Sequence, residues 1–143
     1  MNEKIYITWD EFHQHVKVLA EKIKSSQNSI GRIVAVSRGG LIPAGILAYE
    51  FDVRTCDLIN MSSYDGANKR QDNEIELSSN LPEQGADSLI IDDLADSGRT
   101  FRILREKYPF AKFACVYSKP NGRESADFSA VSLPDKWVVF PWD

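Results

Sequence analysis

An α/β fold, in which a mostly parallel, twisted sheet is flanked by helices, is what this sequence predicts. Short runs rich in Val, Ile and Leu alternate along the chain with stretches of helical periodicity. Such alternation lays strands side by side with helices crossing between them. The chain has 143 residues, 43% of them hydrophobic, which suits one domain with a real core. No internal repeat and no linker divides it, so residues 1–143 read as a single domain.

The elements follow in order. "TWDEFHQHVKVLAEKI" opens with Thr8 and Glu11 at capping-box spacing, and Phe12, Val16, Leu19, Ala20 and Ile23 recur at helical intervals. "RIVAVS", Arg32 to Ser37, is a buried strand broken by "RGG". "LIPAGILAYEF", Leu41 to Phe51, reads as a helix with Pro43 in its first turn, where a missing N–H costs little. "VRTCDLINM", Val53 to Met61, is a second strand. The polar stretch Ser62 to Asn73, "SSYDGANKRQDN", has no periodicity and is long for a connection, as functional lids are. "EIELSS" suggests a short strand and "NLPEQGAD" a turn. The strand "SLIID", a helix near Thr100–Tyr108 and the strand "KFACVYS", Lys112 to Ser118, complete the alternation. "AVSLPDKWVVFPWD" suggests short strands interrupted by turns.

Composition narrows the function. Seventeen basic residues against 21 acidic ones give a formal charge of −4, which argues against a nucleic-acid partner. Cys56 and Cys115 lie in apolar, strand-like runs and read as small buried residues of a reducing compartment. No signal-peptide stretch and no apolar window of membrane-spanning length is found, so a cytoplasmic protein is expected.

In open parallel sheets ligands bind at the carboxyl ends of the strands. Reading only the residues after each strand collects Ser37-Arg38-Gly39-Gly40, then Lys69 and Arg70, then Asp92, Asp93 and Asp96 with Ser97-Gly98-Arg99-Thr100, then Lys119 and Arg123. In "DSGRT", Gly98 permits close backbone approach, a helix N-terminus follows, and Ser97 and Thr100 add hydroxyls; together they suit a phosphate. From this turn alone, an N-cap by Asp96 or Ser97 is the commoner reading. Asp92 and Asp93 beside an anion need hydroxyls or a cation between, and a ribose diol or a magnesium ion supplies them. "SRGGLIP" is a second anion cradle, with the guanidinium of Arg38 and the backbone N–H groups of Gly39 and Gly40. Two anion sites flanking an acid pair suggest one ligand with phosphates at both ends.

These residues resemble a known family. "LIIDDLADSGRT" matches the signature of type I phosphoribosyltransferases, and "AVSRGGLIP", "SSYDGANKR", "YSKPNGR" and "KWVVFPWD" are similar, in order, to the bacterial xanthine-guanine phosphoribosyltransferases. The resemblance runs from "ITWDEF" to "PWD". It implies the type I phosphoribosyltransferase-like fold, with a small hood formed by the terminal segments. It further implies transfer of a 5-phosphoribosyl group from 5-phospho-α-D-ribose 1-diphosphate to a 6-oxopurine (xanthine, guanine or hypoxanthine), with Mg2+, in purine salvage.

By position, the resemblance gives the 5′-phosphate to Asp96, Ser97, Gly98, Arg99 and Thr100. It gives the ribose hydroxyls to Asp92 and Asp93, with Asp93 at the metal. Pyrophosphate falls to Arg38 and Gly39, whose shared peptide bond is expected to be cis, and to Arg70 on the closing segment. The purine falls to Lys119 at its 6-oxo group, Trp137 in stacking and Val138 at its edge, with Asp96 near N7 as catalytic proton acceptor. Arg99 departs from the pattern, since bacterial relatives often carry glycine there. Relatives are commonly tetramers or dimers, so a homo-oligomer is expected. The close relatives usually continue past "PWD", which leaves open any membrane-surface association of such a tail.

Read singly, Trp137 is more often core, Lys119 a surface turn lysine, and Lys69-Arg70 a solvated loop. The alternative function is a non-catalytic regulator that senses phosphoribosyl diphosphate on the same fold, and Asp96, Arg70, Lys119 and Trp137 together argue against it. A phosphoacceptor signalling domain fails on order, because its acid pair follows the first strand. An adenine enzyme is disfavoured, because Lys119 donates to an oxo group and not to an amino group.

Overall fold

The computed structural model describes residues 3–61, 76–77 and 81–143. Among the described residues six strands form the main sheet: β2 (Arg32–Ser37), β3 (Cys56–Asn60), β4 (Glu76–Leu77), β5 (Ser88–Ala95), β6 (Lys112–Ser118) and β7 (Phe128–Ser132). Their order is β4-β3-β2-β5-β6-β7. All neighbours are parallel except β3 and β4. The terminal segments pair with each other as a separate parallel ladder of β1 (Lys4–Tyr6) with β8 (Trp137–Val139). β1 carried no strand signal of its own, because three residues are too few to show a period.

The helix α1 (Trp9–Ser25) begins where the capping box places it. The Glu11 N–H donates to Thr8 Oγ1 at 3.1 Å and the Thr8 N–H to Glu11 Oε1 at 2.9 Å. Its apolar stripe, Phe12, Val16, Leu19, Ala20 and Ile23, is buried. α2 (Leu41–Glu50) carries Pro43 in its first turn as expected, and α3 is Arg99–Lys107. Successive strand residues divide between the two faces of the sheet, which is the two-residue strand period. Ile33, Ala35, Leu89, Ile91, Ala114 and Val116 pack with α1 and α2. Val34, Val36, Ile90, Phe113 and Cys115 pack with Phe101 and Leu104 of α3. Because every strand of the middle is covered on both sides, it reads in sequence as a continuous apolar run.

Two strand boundaries and one turn differ from expectation. The second core strand starts at Cys56 instead of Val53, because the Val53 N–H donates to Ala48 O at 2.9 Å and belongs to the close of α2. Cys56 is therefore exposed at a strand end and only Cys115 is buried. The strand expected to stop at Asp92 runs on to Ala95, because its ladder to β6 continues through Leu94↔Tyr117 and Ala95↔Ser118. A 3₁₀ turn at Arg123–Ser125 was not anticipated. The expected lid, Ser62 to Asn73 with Lys69 and Arg70, lies outside the described residues.

Replacing Thr8 by Ala removes the cap on α1 and is expected to cost about 1 kcal/mol. Urea denaturation of the two proteins checks it, and an unchanged midpoint would show that the box contributes nothing.

Candidate functional site

From the centre of the sheet the chain leaves in two directions. β2 leads through α2 to β3 on one side, while its other neighbour, β5, leads through α3 to β6. The loops after β2 and β5 thus part above two adjacent strands, which is where ligands bind in open α/β sheets. Ser37-Arg38-Gly39-Gly40 and Asp96-Ser97-Gly98 are those two loops.

The fit between them is tight. A Cβ on Gly39 would stand 2.6 Å from the carboxyl atoms of Asp93, and one on Gly40 would stand 2.2 Å from Ile91 O. Only glycine fits at position 40, whereas a side chain at position 39 would have to displace the Asp93 carboxyl. The Gly40 N–H donates to Val36 O at 2.8 Å, so it closes the turn and is not offered to an anion as the sequence suggested. Arg38 is exposed at the tip. The peptide bond that is cis is Ser37–Arg38, one bond before the expected one. The ladder to β3 ends with Ser37 opposite Asn60, and the chain turns at the very next bond.

Beyond β5, Gly98 takes φ +85°, a conformation that suits glycine, and stands as the N-cap of α3 with no side-chain cap. Neither Asp96 nor Ser97 holds the N-cap position, which overturns the commoner reading of that turn. The Ser97 hydroxyl accepts from the Arg99 N–H at 3.3 Å. A cavity of about 100 Å³ opens here, lined by Asp92, Leu94 and Ala95 and by Asp96 to Phe101. Its floor carries the positive end of α3 and its first N–H groups, a setting that favours an anion. Arg99 is exposed at its edge.

Asp92 lines this cavity while Asp93 faces Gly39, so the acid pair stands between the two loops. The Asp93 N–H donates to Asp92 Oδ1 at 2.8 Å. Burial, and then the charge of Asp93, hold the Asp92 carboxyl well above its ordinary range. Burial also raises Asp93, with a further contribution from the charge of Asp143 at the other end of the chain. Among the described residues no group of three or more His, Cys, Asp and Glu gathers as a metal site. The pair supplies two hard oxygen donors, which fits magnesium that keeps water and shares a ligand's phosphate oxygens, and not an ion caged by protein alone.

The last strand end brings Lys119. It is only 6% exposed, its N–H donates to Ala95 O at 3.0 Å, and its Nζ lies 3.5 Å from Asp96 Oδ2. A buried lysine aimed at an exposed carboxylate is not the surface turn lysine that its position before Pro120 suggests. Trp137 is 67% exposed on β8, although most tryptophans in apolar runs are core, and Val138 beside it is buried. The structure thus brings Arg38, Gly39, Asp92, Asp93 and the Asp96-to-Thr100 turn to one rim, with Lys119 against Asp96.

Sequence reasoning passed over three supporting residues. Arg102 donates to Ser97 O at 2.8 Å and to Asn121 O at 3.3 Å, tying the cradle to the loop after β6. Gly122 backs the same turn, since a Cβ there would stand 2.2 Å from Ala95 O. The Asn-Gly dipeptide was a turn signal that marked it. Asp143, whose carboxylate accepts from the Phe140 N–H at 2.8 Å, had no local signal.

A family model, the phosphoribosyl transferase domain, matches residues 6–143. The chain belongs to the phosphoribosyltransferase family. This phosphoribosyltransferase is 41% identical, over 99% of its length and 88% of the relative's, to a xanthine-guanine phosphoribosyltransferase of Idiomarina loihiensis. Its fold is similar to a purine phosphoribosyltransferase from Pyrococcus horikoshii, with TM-score 0.78, 28% identity and 100% and 95% of the two chains covered. A hypothetical protein from Neisseria gonorrhoeae with bound ppGpp is also similar, with TM-score 0.72, 26% identity and 100% and 90% covered. No helix among the described residues is long and apolar enough to cross a membrane.

The raised carboxyls of Asp92 and Asp93 set a pH dependence. A carboxyl raised in the folded state contributes stability at acid pH and loses it as pH rises through its folded value. Without ligand, Asp92→Asn is therefore expected to stabilise the protein at pH 7 more than at pH 4. Urea midpoints at both values check it, and a lower midpoint at pH 7 would contradict the burial argument.

Proposed function

We propose that this phosphoribosyltransferase acts in purine salvage, transferring the 5-phosphoribosyl group from 5-phospho-α-D-ribose 1-diphosphate to a 6-oxopurine and releasing diphosphate. The observation that carries the reading is Lys119, buried yet aimed at Asp96 on the lip of the phosphate cradle. A fixed ammonium there discriminates by what it can donate to. A 6-oxo group accepts from it and a 6-amino group does not, and a site built to pair a polar group rejects its lack strongly.

In this account the first N–H groups of α3 and the hydroxyls of Ser97 and Thr100 hold the 5′-phosphate, with Asp96, Gly98 and Arg99 completing the turn. Asp92 and Asp93 accept from the ribose hydroxyls. Arg38 and the backbone of Gly39 hold the diphosphate; Arg70, also expected there, lies outside the described residues. Trp137 stacks on the base and Val138 meets its edge. Asp93 would hold magnesium from the protein side, and the ion would supply positive charge to the leaving diphosphate. The ribose C1–O bond breaks as the purine nitrogen bonds to C1, through a transition state with oxocarbenium character. The proton of the attacking base passes to Asp96. What the protein contributes is alignment of base and C1, neutralisation of the leaving group, and exclusion of water.

The second reading, a sensor of phosphoribosyl diphosphate without turnover, is weighed against the same measurements. Steady-state kinetics with guanine, xanthine, hypoxanthine and adenine, each with phosphoribosyl diphosphate and magnesium, are expected to show turnover of 6-oxopurines and not of adenine. Chelating the magnesium is expected to stop it. No turnover with any 6-oxopurine would sink the enzyme reading and promote the sensor. Asp96→Asn is expected to lower kcat by about 100-fold or more. Lys119→Ala is expected to lower kcat/KM for 6-oxopurines by roughly 10- to 100-fold, the worth of a charged hydrogen bond. Unchanged kinetics in both variants would show that the residue roles are wrong.

A further inference from the structure

The ladder of β1 with β8 pairs Lys4–Tyr6 with Trp137–Val139 and does not join the main sheet. Two strands of this length are marginally stable at best on their own. The Ile7 N–H adds a bond to Val139 O at 3.0 Å. Lys136 Nζ lies 2.6 Å from Glu3 Oε1, but that ion pair is exposed and contributes little. Yet this ladder carries Trp137, which stands exposed while Val138 beside it is buried. The direction of Trp137 is therefore only as well fixed as the attachment of the ladder to the rest of the fold.

That attachment is aromatic. Just beyond β8, Phe140 and Trp142 stack with ring centroids 4.8 Å apart and planes 5° from parallel. Trp142 meets Phe12 edge-on at 5.0 Å and Trp9 at 5.9 Å, both at the start of α1. Phe140 meets Tyr117 of β6 at 5.9 Å, and Tyr117 meets Phe12 at 6.3 Å. These are separations at which aromatic pairs attract beyond the burial of their area. The chain is shaped for the contact. The Phe140 N–H donates to Asp143 Oδ2 at 2.8 Å and the Asp143 N–H to Phe140 O at 3.1 Å, which closes a turn. Pro141 stands second in that turn, where its fixed φ is favoured. Tyr117 is held in its place as well, since it is buried and its hydroxyl meets His15 Nδ1 at 2.7 Å. Tyr117 lies two residues before Lys119. The aromatic box therefore joins the strand that leads to Lys119 with the ladder that carries Trp137.

We propose that Trp142 is a positioning residue for the base: seated in this box, it clamps the β1–β8 ladder onto α1 and β6 and so fixes where Trp137 stands relative to Lys119. The proposal rests on the reading that Trp137 stacks on the purine and Lys119 meets its 6-oxo group. Trp142 acts on the base only through Trp137. Its loss therefore falls on the purine and spares the phosphate cradle, which is built on β5 and α3. A role in general stability would weaken both alike.

Hydrogen exchange read by mass spectrometry tests the clamp without substrate. Trp142→Ala is expected to speed exchange of the β1, β8 and Ile7 amides by about tenfold or more, while β2 and β5 exchange as in the wild type. Kinetics with guanine test the positioning. The same variant is expected to raise KM for guanine about tenfold, with Kd for ribose 5-phosphate, the probe of the cradle, within about twofold of wild type. Trp142→Phe keeps a ring in the box and is expected to restore both ladder exchange and KM. Ladder exchange unchanged in Trp142→Ala would overturn the clamp. Faster exchange with KM for guanine unchanged, or with guanine and ribose 5-phosphate weakened alike, would overturn the positioning. No turnover of guanine by the wild-type protein would overturn the enzymatic reading and the base site with it, while exchange still shows whether Trp142 holds the ladder.

Discussion

The structure depends on how closely the turn after β2 lies against β5. A side chain at Gly39 would have to displace the Asp93 carboxyl, and Gly40 has no space for one because of the Ile91 carbonyl. That contact holds two loops from distant parts of the chain at one edge of the sheet. It is possible only because β2 and β5 are neighbours while their chain continuations part, one through α2 and the other through α3. Covering both faces with helices leaves the strand ends as the place where polar groups can gather without cutting into the core.

The acids take their meaning from this position. Asp92 and Asp93 follow Leu89, Ile90 and Ile91, which are apolar and fully buried, so their carboxyls lie at the mouth of the core and not in bulk water. Burial raises both carboxyls, and the ligand-free site is therefore poorly suited to two full negative charges. A ligand that brings hydroxyl donors and a cation relieves that cost. On the proposed assignment, the energy held against the apo state would be returned on binding and would couple recognition of the sugar to recognition of its metal-bound diphosphate. Asp96 is of a different kind: exposed, outside the strand, and faced by a buried ammonium.

Much of this was legible in the residues. The capping box at Thr8 and Glu11, the "RIVAVS" and "KFACVYS" runs and the broken "RGG" turn each have a local physical cause, and they fall where local rules place them. The convergence of "SRGG" and "DSGRT" at one rim followed from the strand-end rule without any contact being known. What could not be read depends on groups far apart in sequence. The burial of Lys119, the bracing of the cradle by Arg102 and Gly122, and the arrival of Asp143 near Asp93 are all set by tertiary packing. Cys56 was misjudged because a strand's register, and not its composition, decides which end is exposed. The turn at Asp96 and Ser97 was ambiguous for a like reason. A side-chain cap and an open helix terminus use the same residues, and only the left-handed Gly98 distinguishes them.

The most direct test of the central claim is a crystal structure of the protein with magnesium and phosphoribosyl diphosphate. The account predicts the 5′-phosphate on the backbone N–H groups of the Ser97-to-Thr100 turn. It predicts the ribose hydroxyls on Asp92 and Asp93, and the diphosphate at Arg38 and Gly39. Diphosphate in the Ser97-to-Thr100 turn, or a ligand that leaves Asp92 and Asp93 without a partner, would contradict it.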